Sequence, residues 1–419
     1  MHELIRELLP FPRAMTGDGV RRTLAVVGRH LPLAVHEVPS GSQVLDWVVP
    51  PEWNVREAWI AGPDGRRVAD LRDSTLHLAS YSEPVRARMT LAELRPHLFS
   101  LPERPDWIPY RHFFHRAGWG FCLPHRRLEA LPDGEYEVCI DATLAPGSLT
   151  YGEAVIRGET DADVLLCAHV CHPALCNDNL SGIALLSLLG AYLDRMRPRL
   201  GYRLLFAPVT IGAICWLARN AAVLPRIQHG LVVTLLGDPG PFTYKRSRRG
   251  DAPIDRALAH VLRHAGPHAL RDFSPVGYDE RQFGSPGFDL PVGCLMRTPH
   301  GEFPEYHTSA DDLSFVRPEA LSASLGVVLA AIGVLERDAR YENLCPRGEP
   351  QLGRRGIYRT LATRGGGAEL EQAVLWVLNL SDGRHGLLDI AERSGLAFDR
   401  IHAAAAVLRE HGLLRRIGG

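Results

Sequence analysis

The stretch Val164–Gly182, VLLCAHVCHPALCNDNLSG, decides the architecture of this 419-residue chain. Val164, Leu165 and Leu166 form a continuous apolar run, the pattern of a parallel strand covered on both faces by helices. His169, Cys171, His172 and Asp178 follow just past its carboxyl end, the edge of an open α/β sheet where ligands collect. Asn177, Asp178, Asn179 and Ser181 offer N-cap side chains to an apolar helix, Ile183 to Leu189. Strand, polar loop and capped helix together predict a metal site.

The same alternation continues downstream. YRLLFAPV, GLVVTLLG and PVGCLMRT read as strands, with helices around ICWLARNAAVL and IDRALAHVLRHAG and a long final helix from Pro318 to Leu335. Strands alternating with helices predict a parallel-rich sheet flanked by helices. An earlier helix after Thr16-Gly17-Asp18 carries Val20, Leu24, Val27 and Leu31 on one stripe and stops at Pro32. Between about residues 38 and 150 the texture changes to short runs with proline, glycine and aromatics, a β-rich insertion or lid. The reading is therefore a discontinuous α/β domain over 1–37 and 151–340, the insertion 38–150, and a linker with a compact helical domain over 341–419.

Lys and Arg number 47 against 48 Asp and Glu, a net charge of −1, so no overall field favours nucleic acid or an anionic membrane. No apolar run reaches the roughly 18 residues of a membrane span, and the N-terminus lacks an extended apolar segment before a cleavage site. A cytoplasmic location is expected. Eight scattered cysteines form neither a disulfide framework nor a CxxC pair, which disfavours a sulfur-bound structural zinc.

A second cluster, Gly301–Leu313, GEFPEYHTSADDL, again places a histidine after a strand. His307 could join one of the earlier histidines and Asp178 in the mixed nitrogen and oxygen ligation that suits zinc. Glu305 stands two residues before His307, on the same face if that segment is extended. Asp311 and Asp312 read as helix caps.

Strand-end His169, the Asp178-Asn179-x-Ser181-Gly182 turn and Tyr306-His307-Thr308, in that order, resemble the co-catalytic zinc aminopeptidases of peptidase family M28. The whole chain more closely resembles a bacterial aminopeptidase-like branch labelled DUF4910 or DUF2172, through HVCHPALCNDNLSG, GDPGPFTYKRSRRG and PEYHTSADDL. The resemblance implies a zinc-aminopeptidase-like mixed sheet with helices, an inserted lid and a C-terminal winged-helix-like domain. Acidic positions of the aminopeptidase pattern are altered here. Cys171 replaces the aspartate of His-x-Asp, Val209 and Thr210 replace the paired glutamates, and the next aspartate falls near Thr234, with Asp238 the nearest carboxylate. One zinc per chain is therefore expected, on His169 or His172 with Asp178 and His307. Three protein ligands leave an open position for a water whose pKa zinc lowers to about 7. Glu305 is the first candidate base, followed by Asp238, Asp279 and Glu280. The implied activity is hydrolysis of an amide or peptide-like small molecule. The alternatives are another metal-dependent reaction in making a glycan or specialised metabolite, or a nonenzymatic binding or regulatory role.

Tyr244–Gly250, YKRSRRG, concentrates four cations, and Lys245, Arg248 and Arg249 are candidates for binding an anionic substrate group. Tyr110–His125 alternates aromatic and basic residues, including Arg111, His115 and Trp119, as packing within the insertion or as a cover over a site. The last helices, around Gly383 and Gly395, resemble a winged helix-turn-helix. Its would-be recognition helix presents Ala403 to Ala406, which cannot read base edges, although Arg354, Arg355, Arg359 and Arg364 could touch phosphate. Packing or homo-oligomerisation is expected there rather than nucleic-acid binding.

Overall fold

The computed structural model describes residues 1–114, 116–363 and 367–417, so His115 and Arg364 lie outside the described residues. Contacts divide the chain into two compact units, Met1–Ala252 with Ala269–Leu325, and Pro253–His268 with Gly326–Gly419.

In the first unit, seven strands of a large mixed sheet lie in the order Ala34–Pro39, Ser148–Ile156, Gly201–Ala207, Asp163–His169, Ile227–Val233, Val292–Met296 and Phe242–Lys245. The middle four are parallel, and the flanking pairings are antiparallel. Asp163–His169 is buried at every position, as its unbroken apolar run requires. His169 is its last residue and pairs in register with Ala207. Residues 38–150 contribute a separate four-stranded sheet, Arg67–Asp70, Glu52–Ala61, Glu135–Ala145 and Val85–Thr90 in that order.

The capping expectation holds only in part. Cys176–Leu180 is an irregular turn with non-helical backbone at Asp178 and Asn179, and the helix runs Ser181–Leu193. Asn179 Oδ1 accepts from Gly182 N at 3.1 Å. Asp178 turns away from the helix, toward the histidines.

The second unit has the helices Ala368–Leu380, Leu387–Ser394 and Phe398–Glu410, and the strands Arg340–Asn343, Asp382–Gly386 and Leu414–Ile417 in one three-stranded sheet. Gly395 ends the helix Leu387–Ser394 in the left-handed conformation (φ 73°), which glycine adopts without strain. Helix Pro253–Ala265 belongs to this unit by its contacts: Arg256 pairs with Asp389 and Glu392, and His260 Nε2 accepts from Phe398 N at 3.0 Å. Helix Pro318–Arg337 is long and apolar enough to cross a membrane by length and composition. Its buried residues Leu321, Ser324, Val328, Ala331 and Leu335 nevertheless recur at three- and four-residue steps, the pattern of a helix with one face in a protein core.

Candidate metal centre

The strand Asp163–His169 delivers His169 to the sheet edge, and the next ten residues fold back over it. His169 Nε2 lies 3.0 Å from Asp178 Oδ1 and 3.2 Å from His172 Nδ1. His172 Nδ1 lies 3.3 Å from Asp178 Oδ2. His307 reaches the same carboxylate from another loop, with Nε2 2.9 Å from Asp178 Oδ2.

These separations are those of donors around a single small cation. With bonds of about 2.0–2.1 Å, a tetrahedral zinc site has donor–donor edges of about 3.3 Å. Protonation fits as well. Burial lowers the pKa of His169 and His307, outweighing their contacts with Asp178, so both favour the neutral imidazole that binds metals. Burial alone would raise the Asp178 carboxyl, but the proximity of His172 and hydrogen bonds from His169, His172 and His307 hold it well below the usual carboxylate range. The donor set thus matches zinc in type and in spacing.

The surroundings fix these side chains. Asn179 Nδ2 lies 3.3 Å from His169 Nδ1 and donates to Val233 O at 3.2 Å, while Tyr278 stacks on the His169 ring at 4.9 Å. Arg13, wholly buried, donates from Nε to the His172 carbonyl at 2.8 Å. Asp311 accepts from the backbone nitrogens of Asn177 at 2.5 Å and Asp178 at 3.0 Å, and so anchors the turn. Asp312, by contrast, caps its own turn through Ser314 N and Phe315 N. Tyr110 packs edge-on against both His172 and His307, and Tyr306 stacks on His307 at 3.9 Å. The aromatic segment of the insertion therefore does flank the cluster, and Tyr110 N donates to the His307 carbonyl at 2.8 Å.

Above the cluster lies a cavity of about 290 Å³ whose wall includes His172, His307, Tyr110, Tyr278, Tyr306 and Arg281. Among the described residues, no Asp or Glu side chain lines it.

Several candidates from the sequence stand elsewhere. Glu305 does not share a strand face with His307: residues 301–307 fold as turns and bends, and His307 takes a left-handed backbone (φ 56°). Glu305 does not line the cavity. Asp238 is buried and organises a loop, accepting from Thr298 Oγ1 at 2.6 Å, Gly240 N at 2.8 Å and Asn177 Nδ2 at 3.1 Å. Glu280 is paired with Lys245, which also donates to the carbonyls of Val276 at 2.7 Å and Ser274 at 3.2 Å. Burial first, then Glu280, raises the Asp279 carboxyl well above its usual range, and its neighbour is the Cys167 thiol at 3.8 Å. Arg248 and Arg249 both pair with Asp289, at 2.8 and 3.3 Å. The three candidates are thus engaged in ion pairs, Arg248 and Arg249 sharing one carboxylate, and none of them lines the cavity. Tyr278, Arg281 and Arg13 were not singled out, because FSPVGYDERQFG and FPRAMTG carry no periodicity or ligand spacing that marks them.

Two family models match, a domain of unknown function (DUF4910) over residues 2–338 and a winged helix-turn-helix over 339–416. A Clostridium acetobutylicum protein, provisionally named a polysaccharide biosynthesis protein with an aminopeptidase-like domain, is 47% identical over 421 residues, covering 100% of this chain and 96% of its own. A solved structure from the same organism, provisionally called a peptidase, superposes with a TM-score of 0.95 at 46% identity, covering 99% of this chain and 96% of its own. A zinc aminopeptidase from Bacillus subtilis shares the fold alone, with a TM-score of 0.57 at 13% identity over 79% of this chain and 93% of its own. The mixed sheet flanked by helices and the winged-helix unit are therefore those the sequence implied. The chain belongs to the DUF4910 family, with an aminopeptidase-like α/β fold followed by a winged helix-turn-helix.

Proposed function

We propose that this chain is a single-zinc hydrolase cleaving an amide or peptide-like bond in a small molecule. The observation that carries the reading is the convergence of His169 Nε2, His172 Nδ1 and Asp178 at mutual distances of 3.0 to 3.3 Å beneath an open cavity. A zinc ion held there would supply Lewis acidity and a water acidified to about pH 7.

The chain's own residues divide the remaining work by exposure. The His169 and Asp178 side chains are 0% exposed and His172 is 9% exposed, which suits holding an ion, whereas His307 is 31% exposed and on the cavity wall. His307 is the group placed to exchange a proton with a substrate while leaning on Asp178. Tyr278 keeps its phenol proton, because burial raises its pKa well above the usual value, and its hydroxyl lies 3.4 Å from Asp178 Oδ1. It limits how far the carboxylate can move. Tyr110 and Tyr306 cover the imidazoles and limit water access.

A second reading, a metal-dependent biosynthetic reaction other than hydrolysis, is favoured by two observations: no Asp or Glu among the described residues lines the cavity, and the relative at 47% identity is named for polysaccharide biosynthesis. Profiling the zinc-loaded protein against aminoacyl amides, N-acyl amino acids and N-acylated sugars separates them. Zinc-dependent release of amine supports hydrolysis. Zinc binding without cleavage of any class would leave the biosynthetic reading in its place.

A further inference from the structure

Among the described residues, Arg281, on the short helix Glu280–Phe283, is the one Arg or Lys on the cavity wall. Its Nε is buried with no hydrogen-bond partner, and among the described residues no carboxylate pairs with its guanidinium. The two acids that precede it are turned elsewhere, Glu280 to Lys245 and Asp279 toward the Cys167 thiol. A guanidinium on a cavity wall without an ion-pair partner is stabilised when a ligand brings an anion to its donors. The rest of the wall is aromatic rings, imidazoles and uncharged side chains such as Met15 and Ile211, and among the described residues it has no Asp or Glu. A free ammonium group, which an aminopeptidase substrate presents, has no carboxylate there to meet. An oxyanion has a planar, forked donor.

We infer that Arg281 anchors a carboxylate or phosphate on the substrate, so that this site takes a small oxyanion-bearing molecule rather than a peptide with a free amine. The inference rests on the cavity being the working site of the proposed metal centre. It moves anion recognition from the Lys245–Arg249 stretch, whose candidates are engaged with Glu280 and Asp289 away from the cavity, to a residue on the wall of the histidines' cavity.

Calorimetric titration of the full chain, zinc-loaded and metal-free, with N-acetylglycine, inorganic phosphate and the neutral N-acetylglycinamide tests this. At least one anion should bind and the amide should bind at least about tenfold more weakly, the scale of one charge-assisted hydrogen bond. Arg281→Gln should weaken anion binding about tenfold or more, Arg281→Lys should retain part of it, and the pair Arg248→Gln with Arg249→Gln should leave it unchanged. Circular dichroism and zinc content of each variant check that the fold and the metal are intact. Arg281-dependent anion binding by the metal-free chain sustains the inference even if zinc proves absent, so the two readings fail separately. Equal anion binding by wild type and Arg281→Gln, anion binding that requires only the metal, or no anion binding by wild type overturns it.

Discussion

Asp178 and His307 are 129 positions apart, yet His307 Nε2 lies 2.9 Å from the Asp178 Oδ2 that also faces His172. One carboxylate therefore joins the buried part of the centre to its exposed part. Replacing Asp178 with Asn removes the charge that offsets bound zinc, and His169→Ala removes a buried donor. Both variants should emerge from purification with little zinc. His307→Ala should keep most of the zinc and lose roughly a hundredfold or more in turnover, the low end of typical general acid–base contributions. Elemental analysis beside a rate measurement decides it: zinc lost with His307 would make that residue a ligand.

Arg13 supports the same loop from below. Burial lowers its pKa to about 10, and among the described residues no carboxylate pairs with it; it donates to the carbonyls of His172 at 2.8 Å and Leu8 at 2.5 Å. In Arg13→Met, relief of a buried charge opposes the loss of two hydrogen bonds, so the two effects largely cancel in stability. Placement of His172 has no such compensation. Residues supporting metal ligands typically contribute 10- to 100-fold in affinity. The expected result is a nearly unchanged melting temperature with zinc affinity, measured against a competing chelator, reduced about tenfold. A large drop in melting temperature with unchanged affinity would make Arg13 a purely structural residue.

What the sequence made legible follows from how each signal arises. The strand ending at His169 was readable because burial on both faces demands an unbroken apolar run, and the histidines and Asp178 because ligand chemistry is concentrated in few residue types. Glu305 misled because the two-residue rule holds only in extended backbone, whereas His307 sits in a left-handed turn at φ 56°. Lys245, Arg248 and Arg249 look like an anion site in one dimension, but Glu280 and Asp289, 35 and 40 or more positions away, engage them in three. Arg281 is the reverse case. It stands beside Asp279 and Glu280 in sequence, and only the structure shows Glu280 taken by Lys245 and the Asp279 carboxyl pushed by burial toward its protonated form. Nor does any local signal in IDRALAHVLRHA reveal that this helix makes its contacts with Asp389, Glu392 and Phe398.

Acid should destabilise the second unit through His260. Burial first, then the nearby His264 and Arg263, lowers its pKa from 6.5 to about 4, and its Nε2 must stay unprotonated to accept from Phe398 N. Between those two values the unfolded chain binds a proton that the folded chain does not, so stability falls as pH drops from about 6.5 toward 4 and is level above that window. His260→Gln keeps a side chain of hydrogen-bonding character without the titration. Hydrogen exchange of helix Phe398–Glu410 should show wild type losing more protection than the variant on acidification from pH 7 to pH 5. Parallel loss in both proteins would assign the effect to other groups.

Zinc stoichiometry should be close to one per chain. A two-metal site holds its ions about 3.5–4 Å apart, and carboxylates beyond a single shared one are needed to offset four positive charges. Here Val209 and Thr210 stand in the cavity wall, and no Asp or Glu among the described residues lines it. The nearby acids are already engaged: Asp238 with Thr298 and Gly240, Asp311 with the backbone of Asn177 and Asp178, and Glu280 with Lys245. Asp279 favours its protonated form, so recruiting it would require ionising a fully buried carboxyl. Titrating metal-free protein with zinc at neutral pH should give a single transition near one equivalent, abolished by Asp178→Asn. A second tight equivalent, lost when Asp279 or Asp238 is replaced by its amide, would mean that the loops rearrange on loading and that the centre holds two ions.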